Sequence, residues 1–171
     1  SLRVEDTVNG VPASRTVREG DSVAFTAIST PPAVVDAICG AMTGAQGEAK
    51  LALLRSLRSA GGPKALQAVK AAAADNDAQV KDTALRALCD WPTPDALPLV
   101  ADLIKAAPSK TIKVLALRGF VRLAPQQDAP DAKKLDSLKG AMALADRTEE
   151  KRLVLSALGN VHTADALALV V

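Results

Sequence analysis

Aromatic side chains are nearly absent. The 171 residues contain one Trp, two Phe and no Tyr, 2% of the chain, although hydrophobic residues make up 49%. A core here must be assembled from Ala, Leu and Val. Small side chains let helices approach closely, and Ala and Leu are the strongest helix formers. Composition therefore points to an all-α chain, long enough for one ordinary domain or a short repeat array.

Histidine is scarcer still, with His162 alone. A metal site needs several clustered His or Cys ligands, and a Ser or Cys nucleophile needs a base beside it. His162, next to Thr163 at a helix start, reads as a turn residue. Cys39 and Cys89 stand fifty positions apart with no CxxC, and read as small buried hydrophobes rather than a disulfide. No Gly-rich phosphate loop, GxSxG or HExxH is present. We therefore expect no catalytic, cofactor-binding or metal-ligating residues, no cofactor and no enzymatic activity.

Other absences narrow the partners. No apolar run reaches 18 residues, so no membrane span is expected, and no secretory signal opens the chain. The start at Ser1 without Met reads as a mature or excised piece. Excess charge of one sign is also missing: 21 basic against 19 acidic residues give a net +2. A basic nucleic-acid footprint and aromatic platforms for stacked bases are both thin.

What is present is repetition. Residues 1–29 differ from the rest. The turn pairs in Val8-Asn9-Gly10-Val11 and Arg18-Glu19-Gly20-Asp21, with β-prone runs such as Ser22-Val23-Ala24-Phe25-Thr26, predict a short β-arm or hairpin, or the end of an upstream domain. Pro31-Pro32 opens the first helix. From residue 30 to 171 the pattern is helical and periodic, which a search for internal repeats exposes. Lys81-Asp82-Thr83-Ala84-Leu85-Arg86-Ala87-Leu88 returns as Lys50 to Leu57, as Lys113 to Phe120, and more weakly as Lys151 to Leu158.

A second motif follows each copy: Gly62-Pro63-Lys64-Ala65-Leu66, Thr93-Pro94-Asp95-Ala96-Leu97, the drifted Ala129-Pro130-Asp131-Ala132-Lys133, and Thr163-Ala164-Asp165-Ala166-Leu167. Each reads as a helix start, with Thr93 and Thr163 capping free amides, Pro in the first position and Asp at the positive end. Gly61-Gly62 reads as a helix-end turn. Ala124 to Asp128 enlarges the turn of the third copy. Two helices per 31 to 38 residues describe a helical solenoid.

Asp77-Ala78-Gln79-Val80-Lys81, then Ala84-Leu85 and Leu88, then Pro94-Asp95-Ala96-Leu97-Pro98-Leu99-Val100, resembles a HEAT repeat. The likeness covers residues 48–171. It implies an all-α, right-handed α-solenoid of about four HEAT-like helix pairs, an armadillo-like superhelix carrying a β-prone N-terminal arm. Leu88 to Pro92 and Ala116 to Ala124 are similar to HEAT modules in large bacterial multidomain proteins. That likeness implies an exported setting, periplasmic or extracellular, beside carbohydrate-active or haem-binding domains.

The expected function is a non-catalytic scaffold that holds a protein or peptide partner, or neighbouring domains of its own chain. In such superhelices the second helices line the concave binding face. Their lysines Lys64, Lys70, Lys105, Lys133, Lys134 and Lys139 are the candidate contacts for an acidic or polar peptide. The in-phase Lys50, Lys81, Lys113 and Lys151, with Arg55, Arg86 and Arg118, read instead as a ladder meeting acids or helix ends of neighbouring repeats. Trp91 reads as a plug between helix pairs. The apolar end Ala166 to Val171 lacks a terminal repeat's polar face, so further repeats or another chain should cover it. Two alternatives stay open: nucleic-acid binding, as in HEAT-like DNA glycosylases, and an accessory segment of an enzyme such as a HEAT-based lyase or hydroxylase.

Overall fold

The computed structural model describes residues 2–8, 11–17, 31–159 and 161. The chain divides into two units, Ser1–Thr30 and Pro31–Val171. In the first, strands β1 (Leu2–Val8) and β2 (Val11–Val17) pair antiparallel, with Leu2 opposite Val17 and Val8 opposite Val11. The β-prone run Ser22 to Thr26 lies outside the described residues, as do His162, Thr163 and the apolar end Ala166 to Val171.

The second unit is all-helical, and its described residues form eight packed α-helices. These are α1 (Pro32–Gly44), α2 (Gly47–Ala60), α3 (Pro63–Ala72), α4 (Ala78–Cys89), α5 (Leu97–Lys105), α6 (Lys110–Leu123), α7 (Asp131–Leu144) and α8 (Thr148–Leu158). Helix boundaries follow local chemistry. Gly61 and Gly62 take φ of 67° and 86°, which ends α2 and lets Pro63 begin α3 at once, since glycine alone enters that region freely. The Asp77 carboxylate accepts the amides of Gln79 and Val80 at 2.8 and 3.3 Å and caps α4. The Ser109 hydroxyl accepts the Ile112 amide at 3.2 Å and caps α6.

The even helices form a row: α2 packs on α4, α4 on α6 and α6 on α8. Each of α3, α5 and α7 packs against the even helix on either side of it in sequence. The row is knit by aliphatic side chains at matching phase. Leu54, Val80, Ala84, Ala116, Leu117 and Val154 are all buried at 1% exposure or less. One position of the motif is always small, and Ala87, Gly119 and Ala157 are buried there; at Gly119 it faces the end of α4. Ser56, the same position on α2, is exposed, because α2 begins the described row.

Three expectations need correction. Thr93 sits at a helix start but does not cap it; its hydroxyl donates to the Asp95 carboxylate, which also accepts the Trp91 indole N–H at 3.2 Å. Pro130 lies just before α7 rather than inside its first turn. The core phase of α7 is then carried by Leu135, Leu138 and Ala141, as Leu66, Val69 and Ala72 carry it in α3. Leu135, not Lys133, is therefore the counterpart of Leu66 and Leu97. The short 3₁₀ turn Ala124–Gln126 and the residues after it absorb the extra length. One regularity went unread: Pro32 precedes Pro63 by the same 31 positions that separate Pro63 from Pro94, so α1 opens in phase with α3 and packs on it.

The glycines give two opposite outcomes. A Cβ at Gly119 would lie 2.0 Å from the Cys89 carbonyl oxygen, backbone that can only move with α4. A Cβ at Gly140 would meet nothing within 4 Å. Gly119→Ala should destabilise by about 1–3 kcal/mol through overpacking, whereas Gly140→Ala should stabilise by about 0.5–1 kcal/mol through helix propensity. Urea unfolding of both variants checks this; shifts of the same sign would contradict the packing described.

Candidate functional site

The lysine ladder explains itself first. Lys50 on α2 reaches Asp75, in the turn before α4, at 2.6 Å. Lys113 on α6 reaches Asp146, in the turn before α8, also at 2.6 Å. Each bond ties one even helix to the turn that launches the next. The Asp75 carboxylate also accepts the Asp77 amide at 2.9 Å, so the tie continues into the α4 cap. At the third such turn, residues 106–109 hold no carboxylate for Lys81. Glu150 stands where α4 and α6 place Val80 and Ile112 and is buried like them; its carboxylate accepts the Asp146 and Arg147 amides at 2.9 and 3.2 Å.

The arginines of the same motif do something different. A cleft of about 710 Å³ opens on the face of α2, α4 and α6. Its charged lining is Arg55 and Arg58 from α2, Arg86 from α4, Arg118 and Arg122 from α6, and Asp90 at the end of α4. Ala87, Cys89 and Gly119, all buried, and half-buried Leu115 form its apolar part. Small residues at the α4–α6 contact hold those two helices close together, which sets the cleft's walls.

Three guanidiniums are already paired. Arg86 donates to Asp82 one turn before it at 2.6 Å, and this bond raises its pKa further above the ordinary value. Arg55 meets Glu48 at 3.1 Å, and Arg58 pairs with Asp90 across helices. Arg122 donates instead to the backbone carbonyl of Trp91 at 2.7 Å. Trp91 itself is fully buried between helices, so it offers that carbonyl from a fixed position. Among the described residues no carboxylate lies within ion-pair distance of Arg118 or Arg122.

The Cys89 thiol is held up to about 11 by burial. It is protonated at neutral pH, unlike the thiolate that cysteine nucleophiles require. Asp90 is engaged by Arg58. No acid–base pair converges in the cleft, and among the described residues no group of three or more His, Cys, Asp or Glu side chains gathers as metal ligands would.

The lysines expected to bind lie elsewhere. Lys64 on α3 pairs with Asp36 of α1 at 2.6 Å, and Lys134 with Asp131 on its own helix at 3.4 Å. Lys70, Lys105, Lys133 and Lys139 are exposed. None of the six lines the cleft. Of the arginines that do, Arg55, Arg86 and Arg118 stand at the ladder position while Arg58 and Arg122 lie outside it, and the sequence already separates Arg118 from Arg86. Arg118 has Val114 one turn before it where Arg86 has Asp82, and Arg122 one turn after it where Arg86 has Asp90.

No family model, curated protein or solved structure matches this chain. Among the described residues no helix is long and apolar enough to cross a membrane.

The lysine ties carry a pH signature. Hydrogen bonding from Lys50 holds the Asp75 carboxyl below its ordinary 3.8, as Lys113 does for Asp146. A carboxylate with a depressed folded pKa stabilises the fold above its unfolded pKa and loses that contribution as pH falls through the folded value. The wild-type unfolding free energy should therefore drop more steeply below pH 3.8 than that of the Asp75→Asn, Asp146→Asn double variant. Equal slopes in urea titrations from pH 5 to pH 2 would show that the ties are screened out by solvent.

Proposed function

We propose that Pro31–Val171 is a non-catalytic interaction scaffold, a right-handed α-solenoid of HEAT-like helix pairs. It holds a protein partner against the cleft face of α2, α4 and α6. The observation that carries this reading is a single cleft whose walls come from three successive copies of one motif. A surface built by stacking repeats grows in this way and suits an extended segment better than a small molecule. The consecutive packing of even helices and the Lys50 and Lys113 ties between successive units support the solenoid arrangement. The charged lining supports binding over catalysis: guanidiniums do not shuttle protons at neutral pH, and the thiol beside them is protonated.

The face differs from the one anticipated for HEAT-like arrays, where second helices make the contacts. The second-helix lysines are exposed or paired with Asp36 and Asp131, whereas the cleft that supports this reading is lined by the first helices α2, α4 and α6.

Peptides selected from a random display library against the folded chain test this. They should perturb the amide signals of Arg55, Ser59, Thr83, Arg86, Arg118 and Arg122. Ser59→Trp, which puts bulk into the exposed cleft lining, should weaken them about tenfold or more. Selected peptides that instead map to α3, α5 and α7 would overturn the reading. So would duplex DNA bound with a steep salt slope.

A further inference from the structure

The cleft arginines without a described acidic partner, Arg118 and Arg122, stand on one wall, and that wall suits one kind of ligand. Taking the motif arginine with the residues one turn before and after it, α2 presents Leu51, Arg55 and Ser59. The same three positions on α4 are Asp82, Arg86 and Asp90, and on α6 they are Val114, Arg118 and Arg122. The formal charge goes from +1 to −1 to +2 across the three helices. The acids of α4 are consumed internally, by Arg86 and by Arg58. The two α6 guanidiniums are like charges at i,i+4 spacing, an arrangement that weakens a helix. No described carboxylate relieves it.

Arg122 is also pre-positioned. Its bond of 2.7 Å to the Trp91 carbonyl fixes one end of the guanidinium and leaves its other N–H groups for a ligand. Ordering this long side chain before binding removes part of the entropy cost of association. Half-buried Leu115, on the same helix, supplies apolar surface beside the charges.

We infer that Arg118 and Arg122 form an oxyanion subsite for the Asp or Glu carboxylates of an acidic protein segment, with apolar side chains of that segment seated along Leu115. Arginine suits this task because its planar fork donates two parallel hydrogen bonds to a carboxylate. The commitment to an acidic segment rests on charge complementarity and on the scaffold reading above, which it deepens.

The test uses fluorescein-labelled nonapeptides of alternating Leu and Glu, Leu and Gln, or Leu and phosphoserine, with fluorescence anisotropy on the full chain. The Glu probe should bind about tenfold or more tighter than the Gln probe, and the gap should shrink with added salt. Arg118→Gln with Arg122→Gln should erase the gap. Val114→Asp should narrow it by giving Arg118 the partner that Asp82 gives Arg86, without removing either arginine. Lys110→Glu, at the start of α6 and outside the cleft, changes the net charge as much as the double variant and should leave the gap intact. Equal binding of Glu and Gln probes, both mapping to α2, α4 and α6, overturns the subsite and leaves the scaffold reading standing. A gap that survives Arg118→Gln with Arg122→Gln, or a phosphoserine probe that binds where the Glu probe does not, also overturns it. If no probe binds while display-selected peptides do, the subsite falls alone; if those fail too, both fall.

Discussion

The close approach of α4 and α6 depends on what stands at one motif position, and the cleft between them follows from it. At Gly119 the α6 backbone comes so near the Cys89 carbonyl that no Cβ fits. Ala87 and Ala157 fill the same position on α4 and α8, buried in their turn. A chain with 2% aromatics has no large side chains to bridge wider gaps, so it reaches interior density by bringing backbones together. That close approach puts the end of α4 against α6, buries the Cys89 thiol, and places Trp91 where its carbonyl meets Arg122.

Polar groups then fix the register that the aliphatic contacts leave loose. Leu, Val and Ala at matching phase would tolerate small slides along the row. Lys50 to Asp75 and Lys113 to Asp146 join a helix to the turn that starts the next even helix. Asp77, Ser109 and Glu150 satisfy the amides that those starts leave open. Each contact is solvent-accessible or capping in character. Their value lies in specifying geometry more than in adding stability, as expected for ion pairs at the surface.

How much of this was legible depends on the kind of signal. The helices were legible because apolar residues recur at helical spacing with proline and glycine punctuating them. Trp91 as a plug was legible for the same reason: a lone Trp in an Ala-Leu chain finds the largest gap. The α7 register was not. Pro130 imitates Pro63 and Pro94 in sequence, yet the longer turn before it displaces the core phase so that Leu135 takes the buried place and Lys133 faces solvent. The enlarged turn shows in the sequence as a longer spacing, but where the core phase restarts after it shows only in the burial pattern of the following helix. The cleft was missed for a related reason. Reading repeats for what they share hides the copy that departs, and the acid that α4 alone carries at Asp82, with the second arginine that α6 alone carries at Arg122, is what separates the α6 arginines from Arg86.

Departure from a repeat carries different information from the repeat itself. Positions that recur, such as the small residue and the Leu/Val core phase, answer to the packing each unit makes with its neighbours. Packing is the same problem solved several times, so the solution is copied. A position that changes in one copy while the packing stays constant is answering to something else. In α6 the position one turn after the motif arginine is itself an arginine, Arg122, on the exposed lining of a cleft rather than in the core, whereas Val114 keeps the apolar character that Leu51 has on α2. Arg122 serves the packing with one end of its guanidinium, through its bond to the Trp91 carbonyl, yet it adds a like charge four residues from Arg118, which opposes the helix. The acidic segment proposed above would answer that charge, which no described carboxylate neutralises.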